Sequence, residues 1–246
     1  MVVGSGRSGT SLVAGLVASA GHHMGRRLAR ANRANPRGFF EDLRTILVNE
    51  EILAPYTSRP AEPRFSAGPV HRAPLGELQR WLAVLPPETV VEAPPELEPK
   101  MRATMGQAPW CRKDPRFCYT LPAWEPLFGD AVRVCVFREP SRTANSMIEV
   151  ARAQRVELTY DGAVEIWAAA YLQVLRRHRH RGEWLFLHYD QVLAGTALPR
   201  LEEAVGARLD RDFADAALRR APASGSWPPA VGEIYDELCA AAGVPA

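Results

Sequence analysis

At 246 residues, 47% of them hydrophobic, the chain is long enough to bury a sizeable core and of a size for one domain spanning 1–246. Its 30 Lys+Arg against 28 Asp+Glu leave a net charge of +2, so the whole-molecule field does not announce a nucleic-acid binder. The four cysteines lack C-x-x-C spacing, the six histidines form no H-E-x-x-H pair and no apolar run has the length of a membrane span, so neither a disulfide framework, a zinc site nor a spanning helix is indicated, and a soluble cytoplasmic protein is expected.

Met1-Val2-Val3 reads as a first strand, short enough against the usual length of about five or six residues that a start upstream of Met1 is expected. It feeds Gly4-Ser5-Gly6-Arg7-Ser8-Gly9-Thr10-Ser11, after which Leu12, Val13, Leu16 and Val17 give a helical pattern over 10–20, stopped by Gly21. Against the nucleotide-binding pattern G-x-x-x-x-G-K-[ST], glycines fall at Gly4 and Gly9 and a hydroxyl at Ser11, while Thr10 occupies the lysine position. Backbone N–H groups of such a loop at a helix N-terminus suit any phosphate or sulfate; the missing lysine is the group an NTPase sets on its β/γ-phosphates. Arg7 is the long cation of the loop.

A helix is expected over 43–53 after the turn at Pro36-Arg37-Gly38. The proline-rich stretch 55–74 reads as a long loop or lid, 77–85 as helical, and 89–92 as a strand ended by Pro94-Pro95. Cys111-Arg112-Lys113-Asp114-Pro115-Arg116 is a charged turn between loop and helix. Residues 131–137, β-branched and apolar, read as a buried parallel strand, and Pro140 opens a helix through Met147 and Val150. A longer helix is expected over 162–179, a strand over 184–189 and a helix over 198–205. Strands alternating with helices predict an α/β fold: three layers, P-loop-like, with a mostly parallel central sheet and helices on both faces. In such sheets ligands bind outside the carboxyl ends of the strands, where the Arg7 loop and Arg138 both fall. Arg138, at a strand end, and Ser146, two helical turns on, supply a guanidinium fork and a hydroxyl suited to one phosphate; a structural ion pair is the plain alternative for Arg138. Two arginine-rich segments, 26–37 and 176–181, read as solvated faces unless a partner is found.

The ordered set GRSGTS, KDPR, FREPSRTANS and LHYDQVL resembles the sulfotransferases that use 3′-phosphoadenosine-5′-phosphosulfate (PAPS), in particular bacterial members and those acting on tyrosine or glycans, over most of the chain, to about residue 210. The resemblance implies a 5′-phosphosulfate site at Arg7, Ser8, Gly9, Thr10 and Ser11, and a 3′-phosphate site at Arg138 and Ser146, which have the family's seven intervening residues. It places Lys113 near the transferred sulfate and Tyr189 near the nucleotide, with 3′,5′-ADP as product and no metal required. Lys113 could instead pair with Asp114 or Glu125, and Tyr189 could be a core residue. Asn35-Pro36-Arg37-Gly38-Phe39-Phe40-Glu41-Asp42 resembles the N-P-x-G-Y-F-E stretch of bacterial members and makes Glu41 the general base, ahead of Asp42, His22 and His23. Arg7, Lys113 and the loop N–H groups would stabilise the transition-state charge. Glu139 stands where relatives often have Asp or Asn, and the 219–227 segment only loosely matches the family's basic-glycine closure. The acceptor is expected to be a small molecule or a glycan, in a pocket lined by 55–74, 26–37 and tryptophans among Trp81, Trp110, Trp124 and Trp227. The competing reading is a P-loop kinase or NTPase with Asp190 on a metal, which leaves the Arg138 and Ser146 pair without a use.

Overall fold

A computed structural model describes residues 1–32, 35–71, 73–106, 108–214 and 224–245. Among them, three strands form one parallel sheet in the order β1 (Val2–Val3), β2 (Arg133–Phe137), β3 (Trp184–His188). Val2 pairs with Val134, and Phe137 with His188. Beyond β1 the sheet is extended by one parallel bridge, Val2 with Lys113, in which the Val2 N–H donates to the Arg112 carbonyl at 2.9 Å. That bridge makes the charged 111–116 turn a neighbour of the first strand and sets Lys113 at the same sheet edge as the glycine-rich loop.

Side chains of a strand alternate between faces, and here the alternation divides the core in two. Val3, Cys135, Phe137 and Phe186 join one apolar cluster with α4 (Phe117–Phe128), α5 (Pro140–Ala153), α6 (Tyr160–Gln173) and α9 (Pro229–Ala242), together with α2 (Leu43–Leu53) and α3 (Glu98–Thr104). Val2, Val134, Val136 and Leu187 face the other cluster, built from α1 (Thr10–Ser19), α7 (Tyr189–Leu193) and α8 (Leu198–Val205). The result is the expected three-layer arrangement, with helices on both faces of a parallel sheet.

Three expectations need correction. Residues 77–85 hold only a 3₁₀ turn, Arg80–Leu82, and 89–92 form no strand: Thr89 closes a turn on Pro86, Val90 is exposed, and prolines bracket the segment on both sides. The helix expected over 162–179 starts at Tyr160, stops as α-helix at Gln173 and continues as a π turn over Val174–His178. The 55–74 stretch is a loop apart from one 3₁₀ turn, Ala54–Thr57, and it is pinned: the buried Glu165 carboxylate accepts from Arg64 N at 2.8 Å and Phe65 N at 2.7 Å. Arg219 and Arg220 lie outside the described residues.

Candidate active site

The loop leaving β1 is shaped by two close approaches. Gly4, at φ +152°, crosses β2 so tightly that a Cβ would lie 2.2 Å from the Val136 carbonyl oxygen. Gly9, at φ +94°, is the residue before α1, and a Cβ there would meet the Tyr189 ring at 2.3 Å. Only glycine suits both the dihedral and the space. Two α6 side chains secure the strand end below the loop. The Tyr171 hydroxyl donates to Val136 O at 2.7 Å and accepts from Ser5 N at 3.3 Å, and Trp167 Nε1 donates to Arg138 O at 3.1 Å. No side chain caps α1, so the N–H groups of its first turn and its positive dipole end open onto the loop.

Around that helix end stand three cations. Lys113, only 3% exposed, donates from Nζ to Ser11 Oγ at 3.1 Å and to Glu41 Oε1. Arg7 donates from Nε to Ser146 Oγ at 3.1 Å, which ties the loop to the second turn of α5. Arg138 is 5% exposed; its guanidinium carbon stands 4.6 Å from the centre of the Tyr189 ring, and its Nε and Nη2 have no hydrogen-bond partner. Burial lowers the pKa of both arginines; Glu41 opposes the shift at Arg7, and Arg138 adds to it. Thr10, at the lysine position of the nucleotide pattern, is buried with its methyl against Gly4. The positive charge of this site therefore comes from Arg7, Lys113 and Arg138, off the pattern's usual position.

The structure brings together Arg7, Ser11, Glu41, Lys113 and Ser146 by direct contact, and Gly9, Tyr189 and Arg138 by packing; Ser8, fully buried, completes the loop. Lys113 pairs with neither Asp114 nor Glu125, since those carboxylates go to Arg116 and Arg181. Tyr189 is a buried wall under Arg138 and Gly9. Asp42 is spent as the cap of α2: Oδ1 accepts from Arg44 N and Thr45 N, and Oδ2 from Arg26 N and Arg27 N, at 2.9 to 3.2 Å. His23 is bridged to Trp110, and His22 and Trp110 line a cavity of about 370 Å³ with Met1 and Val132, at the amino edge of the sheet, away from the loop. Trp124 is in the core, donating to Asn49 Oδ1 at 2.8 Å, and Trp227 packs on Tyr235. Of the four tryptophans, Trp81 lies at the loop, its ring against Gly6 and its Nε1 on Gln154 Oε1 at 3.0 Å.

One cluster was not read from the sequence, although Asp114 and Arg116 belong to the KDPR stretch. Glu50, buried on α2, accepts from Arg116 Nε at 2.6 Å, Arg80 Nη1 at 2.7 Å, Leu78 N at 2.9 Å and Arg80 N at 3.2 Å. Arg116 also reaches Asp114 at 3.0 Å. This carboxylate fastens the Trp81 turn and the Lys113 turn to the same helix.

A model of the sulfotransferase family matches residues 1–198, four-fifths of the chain, and takes in every residue placed at this site. Comparisons with curated proteins and with solved structures return no match.

Proposed function

We propose that this chain, which belongs to the sulfotransferase family, enzymes that use PAPS, transfers the sulfuryl group of PAPS to a hydroxyl of a small-molecule or glycan acceptor, with Glu41 as general base. A single domain over 1–246 carries the activity in this reading, supported by two apolar clusters that share one sheet. The observation that carries the proposal is buried positive charge with donors to spare. Lys113 meets Glu41, whose charge Arg7 also feels, and Arg138, close to Arg7, is buried with two donors unfilled. A buried cation with unsatisfied donors is costly, and a phosphate offsets that cost with charge-assisted, bidentate hydrogen bonds.

The donor supplies an activated sulfur whose leaving group is the 5′-phosphate. Arg138 and Ser146 hold its 3′-phosphate, with Tyr189 as the wall beneath; Arg7, Ser8, Gly9, Thr10 and Ser11 hold the 5′ end on the α1 terminus. Glu41 takes the acceptor proton as the acceptor oxygen bonds to sulfur and the bond from sulfur to the 5′-phosphate oxygen breaks, releasing 3′,5′-ADP. Lys113, between Ser11 and Glu41, reaches both the loop and the base, so it orients the carboxylate and stabilises charge gathering on the departing phosphate. Titration calorimetry tests the donor: 3′,5′-ADP is expected to bind, and tight binding of ATP with Mg²⁺ but none of 3′,5′-ADP would sink the reading. Incubation of a metabolite library with enzyme and PAPS, followed by mass spectrometry for a gain of SO₃, then identifies the acceptor.

A further inference from the structure

The residue before Glu41 is held in a backbone conformation that its side chain disfavours. Phe40 has φ +57°, in the left-handed region where a Cβ crowds the backbone and a bulky residue is an outlier. Such strain persists where the surroundings over-determine it, and it gathers at functional sites. On either side of Phe40 the backbone is bonded: Ser11 Oγ donates to Phe39 O at 3.4 Å, and Ala29 N donates to Glu41 O at 2.8 Å. The Phe40 ring supplies the remaining constraint.

Its partner comes from far along the chain. Phe213 ends a 3₁₀ turn, Arg211–Phe213, whose entry is anchored to the end of α1 because Asp210 N donates to Ser19 Oγ at 3.2 Å. The Phe213 and Phe40 rings meet edge-on, with centroids 6.0 Å apart and planes at 70°. Both are half-buried and pack at Gly15 of α1, where a Cβ would stand 2.2 Å from Phe213 and 3.0 Å from Phe40. Glycine is unfavourable inside a helix, and at 15 it makes the space that these rings occupy. Arg37 closes the far side: its guanidinium carbon is 5.1 Å from the centre of the Phe213 ring, and its Nη1 donates to the Phe213 carbonyl. Gly15, Arg37 and Phe213 thus clasp Phe40 directly ahead of Glu41.

We propose that Phe213, which lies beyond the 1–198 stretch matched to the family, is a positioning residue for sulfuryl transfer: its ring, locked by Arg37 and seated on Gly15, holds Phe40 in the left-handed conformation and so sets where Glu41 points. A general base must lie within hydrogen-bond reach of the acceptor proton, and a misplacement of about 1 Å costs on the order of a hundredfold in rate. Relaxation of Phe40 to an ordinary φ would turn the chain beyond it and draw the carboxylate away from Lys113 and the loop. The role in transfer rests on the reading of Glu41 as base; the clasp itself does not.

Kinetics with PAPS and the library compound that gains SO₃ fastest read the effect on transfer. Phe213→Ala should lower kcat about tenfold, leave the KM for PAPS and the affinity for 3′,5′-ADP within about twofold, and cost under about threefold when residue 40 is already glycine, which takes a positive φ without strain. Phe40→Val, β-branched and resistant to that region, should have a kcat about tenfold or more below Phe40→Gly. Hydrogen exchange of the Ala29 N–H reads the position of the Glu41 backbone without turnover, and it should quicken about tenfold in Phe213→Ala. An equal loss of kcat from Phe213→Ala in both backgrounds, a parallel loss of 3′,5′-ADP affinity or unchanged exchange at Ala29 each overturns the proposal. The two variants at 40 need no change at 213, so they decide it should Phe213→Ala not fold: equal kcat in the pair overturns it as well. Glu41→Gln separates the two readings, since full activity there beside quickened exchange at Ala29 in Phe213→Ala would remove the base and leave the clasp standing.

Discussion

Two clusters of carboxylate and cation are built from the same two stretches of chain, one closed and the other open. In the closed one, Glu50 of α2 and Arg116 after the K-D-P turn meet with Asp114 and Arg80, and both Glu50 oxygens are filled by four donors. In the open one, Glu41 ahead of α2 and Lys113 of the same turn meet at the loop, with Arg7 and the unfilled donors of Arg138 close by. A buried network whose cations are all met by carboxylates, as here with only Asp114 Oδ2 left unfilled, makes a rigid scaffold, whereas one with donors to spare is prepared for an anion it does not yet hold. Under the proposed function, the difference separates residues that would position the chemistry from residues that would perform it, although they sit a few positions apart.

The largest effect should come from breaking the closed cluster. Glu50→Ala leaves Arg80 and Arg116 buried without their carboxylate, and unfolding in denaturant should show a loss of about 3–5 kcal/mol. A loss below about 1 kcal/mol would mean that the cluster is not the scaffold it is taken for. Lys113→Ala, in the open cluster, should raise the barrier by on the order of 3 kcal/mol, about a hundredfold in kcat/KM, with a smaller effect on stability than Glu50→Ala. Equal losses of stability and activity in both variants would erase the distinction.

A third test lies on the closed side. His178, in the π turn after α6, is buried with Nε2 on Cys118 O at 3.0 Å, and burial pulls its pKa down to about 4. The native state therefore holds it neutral while the unfolded chain takes up a proton near the ordinary value of 6.5. Stability present above pH 6.5 should be lost as pH falls towards 4, by up to about 3 kcal/mol. Unfolding free energies measured across that window should be flatter in His178→Gln by about that amount; parallel curves would show that the histidine is not the acid-sensitive group.

The open cluster was largely legible in the sequence because its parts are local: a glycine loop after a strand, an arginine at a strand end with a serine two turns on, a lysine in a K-D-P turn. The helix over Leu43–Leu53 was equally plain after the Pro36-Arg37-Gly38 turn, while Asp42, read from the sequence only as a rival base, is its cap. The closed cluster was hidden because Glu50 and Arg116 are 66 residues apart: Arg116 ends the KDPR stretch, but nothing in that stretch points to Glu50. Pro122 and Pro126 lie inside α4 and obscure its periodicity. Tryptophans at 110 and 124 looked like pocket walls from composition alone, yet one lines the opposite edge and the other the core, because tertiary packing and not residue type decides which face a ring meets.

The smallest chemical change, and the most discriminating comparison, is between neighbours. Glu41 and Asp42 are adjacent carboxylates, and replacing each by its amide changes one oxygen for a nitrogen. At 42 both oxygens are accepting backbone N–H groups, so Asp42→Asn sets an amide nitrogen against one pair of donors and should destabilise the fold by about 1–2 kcal/mol. Folded Asp42→Asn should keep its kcat within a few-fold. At 41 the carboxylate is ion-paired with the buried Lys113, and Glu41→Gln, which keeps an oxygen to accept from that lysine but loses the charge, should destabilise the fold by about 1–3 kcal/mol while lowering kcat by about 10²–10⁴-fold through loss of the base. The two variants therefore separate in kcat rather than in stability, and stopped assays with PAPS beside denaturant curves resolve them. A large drop in kcat for folded Asp42→Asn with full activity in Glu41→Gln would move the base to 42, and the N–H groups now read as a cap would become its hydrogen-bonding environment.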